Sequence, residues 1–170
     1  MKTIIEVNNL TSLPVAKKSV KKAAETVLTE ELKAENGEFE ISIAFVGGRR
    51  IRQLNKQYRK IDALTDVLSF CEDDFLARLK REKLRRREFL GELIIFPGQV
   101  KEDAFTDGVS EKEELAWVVV HGVLHLLGFE HERGGKKAFL MRKKEKYYLE
   151  KLFKSQKTKR FKTAGIIRTK

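Results

Sequence analysis

The helix that begins near Ser110 limits what this chain can fold into more than any other segment. Residues 111–128 read EKEELAWVVVHGVLHLLG; Ser110 and Glu113 before and within it have capping-box spacing, and Gly128 is a stop signal. From Leu115 to Leu127 the segment is apolar on nearly every face, so it must be buried against a sheet and other helices. Two imidazoles sit inside that apolar stretch. His121 and His125 are four residues apart, one above the other on one helical face, with rings able to converge on a single ion. His131 follows the glycine stop, where the chain can fold back and offer a third nitrogen to the same point.

Three neutral imidazoles make a catalytic rather than a closed structural zinc site, because a fourth position stays open to water or substrate. An ion there lowers the pKa of its water toward about 7 and polarises a substrate oxygen, which is the equipment of a hydrolase. A lone histidine on an apolar helix is usually a hydrogen-bonded core residue. Here all three histidines of the chain fall between positions 121 and 131, and a buried apolar helix offers imidazoles few partners other than an ion. A zinc peptidase helix of the form H-E-x-x-H carries its general base beside the first histidine. That position is Gly122, so peptide hydrolysis fits poorly, and the glycine is expected to leave room for close approach to the ion.

At 170 residues and 41% hydrophobic content the chain supports one core and is short for two. One domain is expected over residues 1–155, with 156–170 as a basic tail that frays. No run of 18 apolar residues and no apolar centre within Met1–Leu10 is present, which points to a cytoplasmic protein with no membrane partner. Cys71 is the only cysteine, so neither an intrachain disulfide nor a cysteine metal cage is possible, and no disulfide-linked partner is expected.

The net charge of +11 is concentrated. Residues 136–170 carry 14 Lys or Arg against Glu145 and Glu150, and Arg78 to Arg87 (RLKREKLRRR) sets seven basic residues around Glu82. Such runs attract polyanions by counterion release, nucleic acid first among them. The alternative for either run is a solvated, salt-bridged helix face.

Ile4–Val7 reads as a short strand, and Ser12 with Pro14 as the start of a helix running to about Leu32. Phe39, Ile41, Ile43 and Phe45 alternate with Glu38, Glu40, Ser42 and Ala44, the period of a half-buried strand ended by Gly47 and Gly48. Ile51, Leu54 and Tyr58 suit a short helix over 49–58, Asp66–Phe70 a strand, and Leu90–Phe96 an interior strand closed by Pro97 and Gly98. The fold class is α+β, with a mainly four-stranded mixed sheet covered by helices.

HGVLHLLGFEH, from His121 to His131, resembles the signature of the YbeY family of ribosomal RNA maturation factors. LNKQYRKIDALTDVLSF, from Leu54 to Phe70, resembles that family's second motif, and LGELII, from Leu90 to Ile95, its third. The resemblance implies a zincin-like core and a zinc-dependent, single-strand-specific endoribonuclease acting in ribosomal RNA processing, notably at the 16S rRNA 3′ end, and in ribosome quality control. It implies one Zn2+ held by His121, His125 and His131, and a catalytic role for Arg59, whose guanidinium can hold a scissile phosphate bidentately. The implied partners are ribosomal RNA and the small ribosomal subunit, with a ribosomal protein or a ribosome-associated GTPase to deliver substrate. Arg59 pairing with Asp62 at the surface is the plainer reading of that residue.

Two positions depart from the pattern. Glu130 stands where the family has Asp and can orient a ligand from behind, and Cys71 replaces a proline after Phe70, where it is expected to be a packing residue. Arg78, Arg81, Arg85, Arg86 and Arg87 lie outside the motifs and are RNA-binding candidates. Two rival functions remain: a noncatalytic RNA-binding ribosome assembly factor with a structural zinc, and a metallopeptidase.

Overall fold

A computed structural model describes residues 1–71, 75, 86–130 and 135–153. His131, Arg78, Arg81, Arg85 and the expected tail over 156–170 lie outside the described residues.

Four strands form one mixed sheet: β1 (Lys2–Asn9), β2 (Glu38–Phe45), β3 (Val67–Phe70) and β4 (Arg87–Ile95), in the order β1-β2-β4-β3. β1 pairs with β2 and β2 with β4 in parallel, whereas β3 joins β4 antiparallel at the edge. The alternation in β2 has its expected consequence, since Phe39, Ile41, Ile43 and Phe45 are fully buried. On the opposite face, polar side chains bond across strands: Ser42 donates to Glu92 at 3.2 Å, and Arg87 pairs with Glu40 at 2.8 Å.

α1 (Lys17–Glu31) buries Val20, Ala23, Ala24, Val27 and Leu28, a stripe of helical spacing, against the sheet and the histidine helix. It begins later than Ser12 and Pro14 suggest. Asn9 and Thr11 bond to each other at 2.8 Å, and Asn9 donates to the Leu13 carbonyl at 2.8 Å, so side chains hold residues 9–13 in a turn that competes with a helix. α2 (Gly48–Leu54) runs into a π-helical turn, Asn55–Arg59, rather than continuing to Tyr58 as one helix. The wider turn moves the buried stripe, so that Asn55 is buried and Tyr58 is exposed, its ring edge-on to Phe70.

Pro97 ends β4 and also opens α3 (Pro97–Asp107), a helix the sequence reading lacks; proline at the first helical position satisfies both readings. α4 (Glu111–Leu126) is the histidine helix, and α5 (Gly135–Leu152) packs against it. Ser110 Oγ accepts from the Glu113 amide at 3.1 Å, as the capping spacing requires. At the other end the Gly128 amide donates to His125 O at 2.9 Å and Phe129 to Leu124 O at 3.0 Å, with Gly128 at φ 90°. This is a Schellman motif, and it turns the chain away directly after His125.

Two glycines let α4 lie close to the sheet. A Cβ on Gly122 would stand 2.8 and 2.9 Å from the methyl carbons of Leu93, a fully buried residue of β4. Gly122 therefore makes room for the sheet, not for a ligand approaching an ion, which corrects the sequence reading of that residue. Gly91 sits at φ 138° beside a bulge in which Glu40 pairs with Phe89 but Ile41 with Gly91. A Cβ there would overlap the Phe70 carbonyl oxygen and stand 2.8 Å from Leu126 of α4. The bulge also reverses the parity of β4: Leu90 is buried before it, and Leu93 and Ile95 after it.

Gly122→Ala is expected to cost about 1–3 kcal/mol by overpacking, and Gly91→Ala more, because backbone strain adds to a clash with backbone. Urea unfolding of the two variants checks the order; equal stability of both with wild type would contradict this account of the helix–sheet contact.

Candidate metal centre

His121 and His125 project from one face of α4 with ring centroids 4.6 Å apart and planes at 80°. Both are partly buried. His121 is held on two sides: the Trp117 ring stacks on it at 4.8 Å, and its Nδ1 lies 2.7 Å from Glu145 Oε1 on α5. The side chains of His121 and Glu145 are 15% and 8% exposed, so the pair is largely withdrawn from water. An ionised carboxylate can only accept, so a bond of this length is one that an Nδ1–H donates. A carboxylate behind an imidazole in this manner fixes the tautomer and ring orientation that a metal-ligating histidine needs and raises its basicity.

The sequence reading expected few partners for a buried imidazole other than an ion, and Glu145 is one that it did not name. Its signal is present in the sequence. Ala138, Met141, Glu145, Tyr148 and Leu149 form the buried stripe of α5, and Glu145 is the one charged residue on it. Glu130, the carboxylate singled out earlier, is exposed and pairs with Lys137 at 3.0 Å.

Among the described residues no third His, Cys, Asp or Glu joins the two histidines in a ligand cluster. The two imidazoles fit a metal ion: both lie on one face, at a spacing that lets their nitrogens converge, and one has a carboxylate at its Nδ1.

α5 is tied to α1 through acids that absorb part of its positive charge. Lys144 pairs with Glu31 at 2.7 Å and lies 4.8 Å over the Phe129 ring, just past the Schellman turn. Tyr148 donates to Glu31, and Lys151 pairs with Glu30. Burial first, and then the bond to Glu31, push the Tyr148 phenol far above its ordinary pKa; the Lys151 hydrogen bond holds Glu30 below its own.

Arg59 ends the π-helical turn, exposed, with no hydrogen-bond or ion-pair partner among the described residues. Its suggested partner Asp62 is taken by Arg52 at 2.7 Å and Lys56 at 2.8 Å. Lys56 foremost, then Arg52, hold the Asp62 carboxyl below its usual range. Arg86 is exposed, and Arg87 is engaged with Glu40. Cys71 is exposed and is not the packing residue expected of it.

A two-histidine helix buttressed by a carboxylate and laid along a mixed sheet defines the class of candidate metal-binding α+β domains, and comparison with known proteins narrows it. A family model described as Endoribonuclease YbeY matches residues 6–153. Proteins named Endoribonuclease YbeY are 43% identical in Roseiflexus castenholzii, over 65% of this chain and 67% of that protein, and 40% identical in Persephonella marina, over 75% and 77%. The solution structure of TM1509 from Thermotoga maritima superposes with a TM-score of 0.57 at 28% identity, covering 89% of this chain and 90% of that one. The chain belongs to the YbeY family.

Glu145→Gln keeps the size of the side chain and removes its charge. It is expected to weaken zinc binding about tenfold or more. Isothermal titration of the metal-free protein checks this, and unchanged affinity would remove the role given to Glu145.

Proposed function

We propose that this chain is a zinc-dependent, single-strand-specific endoribonuclease of ribosomal RNA processing, acting in the cytoplasm at the 16S rRNA 3′ end on the small subunit. The observation that carries the reading is the Glu145–His121 bond at 2.7 Å, which orients a ligand-ready imidazole beside His125 in a family whose relatives are named endoribonucleases.

In this reading His121, His125 and His131 hold one Zn2+, and the helix lies along the sheet in a zincin-like arrangement. The ion, when bound, supplies an acidified water and an electrophilic contact for a phosphate oxygen. The protein's own groups do the rest. Glu145 keeps the proton on His121 Nδ1, and the Trp117 ring limits rotation of the imidazole. Arg59, with no partner among the described residues, receives the scissile phosphate and stabilises the charge that grows on its oxygens. Gly122 offers no carboxylate base, so a peptidase mechanism lacks its usual base. Arg86 and the basic face of α5 attract the RNA electrostatically.

The core around α4 buries Val118, Val119, Val120, Val123 and Leu124 completely, through apolar side chains alone. Chelation is therefore expected to abolish cleavage of single-stranded ribosomal RNA while the fold and RNA affinity persist. Wholesale unfolding on chelation would instead favour a noncatalytic assembly factor with a structural zinc.

His121→Ala and His131→Ala are each expected to lose stoichiometric zinc and RNA cleavage. Arg59→Ala should keep its zinc and its melting temperature but lose about 100-fold or more in kcat. Metal analysis and single-turnover cleavage measure both, and full activity in either histidine variant would overturn the metal-centred mechanism.

A further inference from the structure

A cavity of about 230 Å³ opens between the π-helical turn, the loop that follows it and α3. Its volume is below the about 300–1,000 Å³ of ordinary small-molecule sites, so it suits one ring system with its attached group. Arg59 lines it and brings a positive charge. Ile61 and Leu64 also line it and are 45% and 47% exposed, which sets two large aliphatic side chains on one cavity. From the facing helix come Gln99 and Asp103, one turn apart, with Gln99 Nε2 donating to Asp103 Oδ1 at 3.1 Å. That bond fixes the plane of the amide, which retains its carbonyl oxygen and a second N–H for an incoming group.

The loop is set in place beforehand. Asn55, buried in the π-helical turn, donates from Nδ2 to Ala63 O at 2.9 Å, and Ile61 N returns to Asn55 O at 3.3 Å across the left-handed Lys60, at φ 63°. Leu64 Cδ2 lies over Gly48, where a Cβ would meet it at 3.3 Å. A cavity built this way costs little ordering when it fills.

Its chemistry selects the occupant. A bare phosphate would bind Arg59 but would also face the Asp103 carboxylate and two hydrocarbon walls. A flat heterocycle with a hydrogen-bonding edge, joined to a phosphate, satisfies all of these groups together. We infer that this cavity is a subsite for one unstacked nucleotide of single-stranded RNA: the base lies against Ile61 and Leu64 with its edge on Gln99, and its phosphate rests on Arg59. The inference builds on the ribonuclease reading above and adds a base-contacting determinant to it. It also supplies a physical source of single-strand preference, because a base held in a duplex cannot leave its stack to enter the cavity without an unpairing cost.

The test uses the full chain with metal chelated, so that binding is measured without cleavage. Fluorescence anisotropy compares an oligoribonucleotide of about ten residues with an abasic ribose–phosphate strand of the same length, since site sizes for single strands are of that order. Wild type should bind the base-bearing strand more tightly. Leu64→Ser and Gln99→Leu should each reduce that preference about fivefold, the scale of part of one base contact, while leaving abasic binding unchanged. Arg59→Ala should weaken both strands alike. Leu64 is exposed, so its variant is expected to fold, and matched melting curves verify this. Equal binding of the two strands by wild type, or an undiminished preference in both Leu64→Ser and Gln99→Leu, would overturn the subsite. Loss of the preference in the variants, even if the metal-loaded protein fails to cleave RNA, would support the subsite while counting against the ribonuclease reading alone.

Discussion

Helix α4 lies on the sheet at the distance it does because residue 122 has no side chain. The Leu93 methyl groups occupy the space a Cβ would need, and Gly91 provides the matching clearance for Leu126 one turn further along the helix. With both contacts in place the apolar face of α4 is buried against β3 and β4. The same contacts fix which way the adjoining face points, about 100° round the helix, and that face carries His121 and His125. Position 122 thus serves packing where a peptidase helix would carry its base, and one residue links the fold to the range of chemistry the helix can perform.

The second constraint comes from α5. One of the two carboxylates on a strongly basic helix reaches His121, while neighbouring lysines and Tyr148 engage Glu30 and Glu31 at the end of α1. Charge that looks like a nucleic-acid signal in the sequence is in part the means by which α5 docks. The orientation of the first histidine therefore depends on a helix that follows it in the chain. Lys144, set between Glu31 and the Phe129 ring, joins that docking to the turn leaving α4.

Elements governed by local rules were legible in the sequence. The period of two in β2, the Ser110 cap and the Gly128 stop each have short-range causes, and the structure has all three. The start of α1 was misplaced because Asn9 and Thr11 side chains bond the local backbone, a competition that helix signals do not express. α3 was missed because Pro97 marks a strand end and a helix start with equal force. The π-helical turn was missed because Tyr58 and Asn55 differ by less than one helical turn, and only the tertiary fit selects which is buried. At the site, the i, i+4 histidines were plain, but Glu145 is 24 residues from its partner and becomes visible only once α5 is laid on its buried stripe.

The central claim is that the histidine helix holds one zinc through imidazole nitrogens and leaves a position open. Zinc K-edge absorption spectroscopy of the loaded protein reads that coordination directly. The account predicts three imidazole nitrogens at about 2.0–2.1 Å with one further oxygen and no sulfur. A sulfur scatterer at about 2.3 Å, or a shell with a single imidazole, would contradict it.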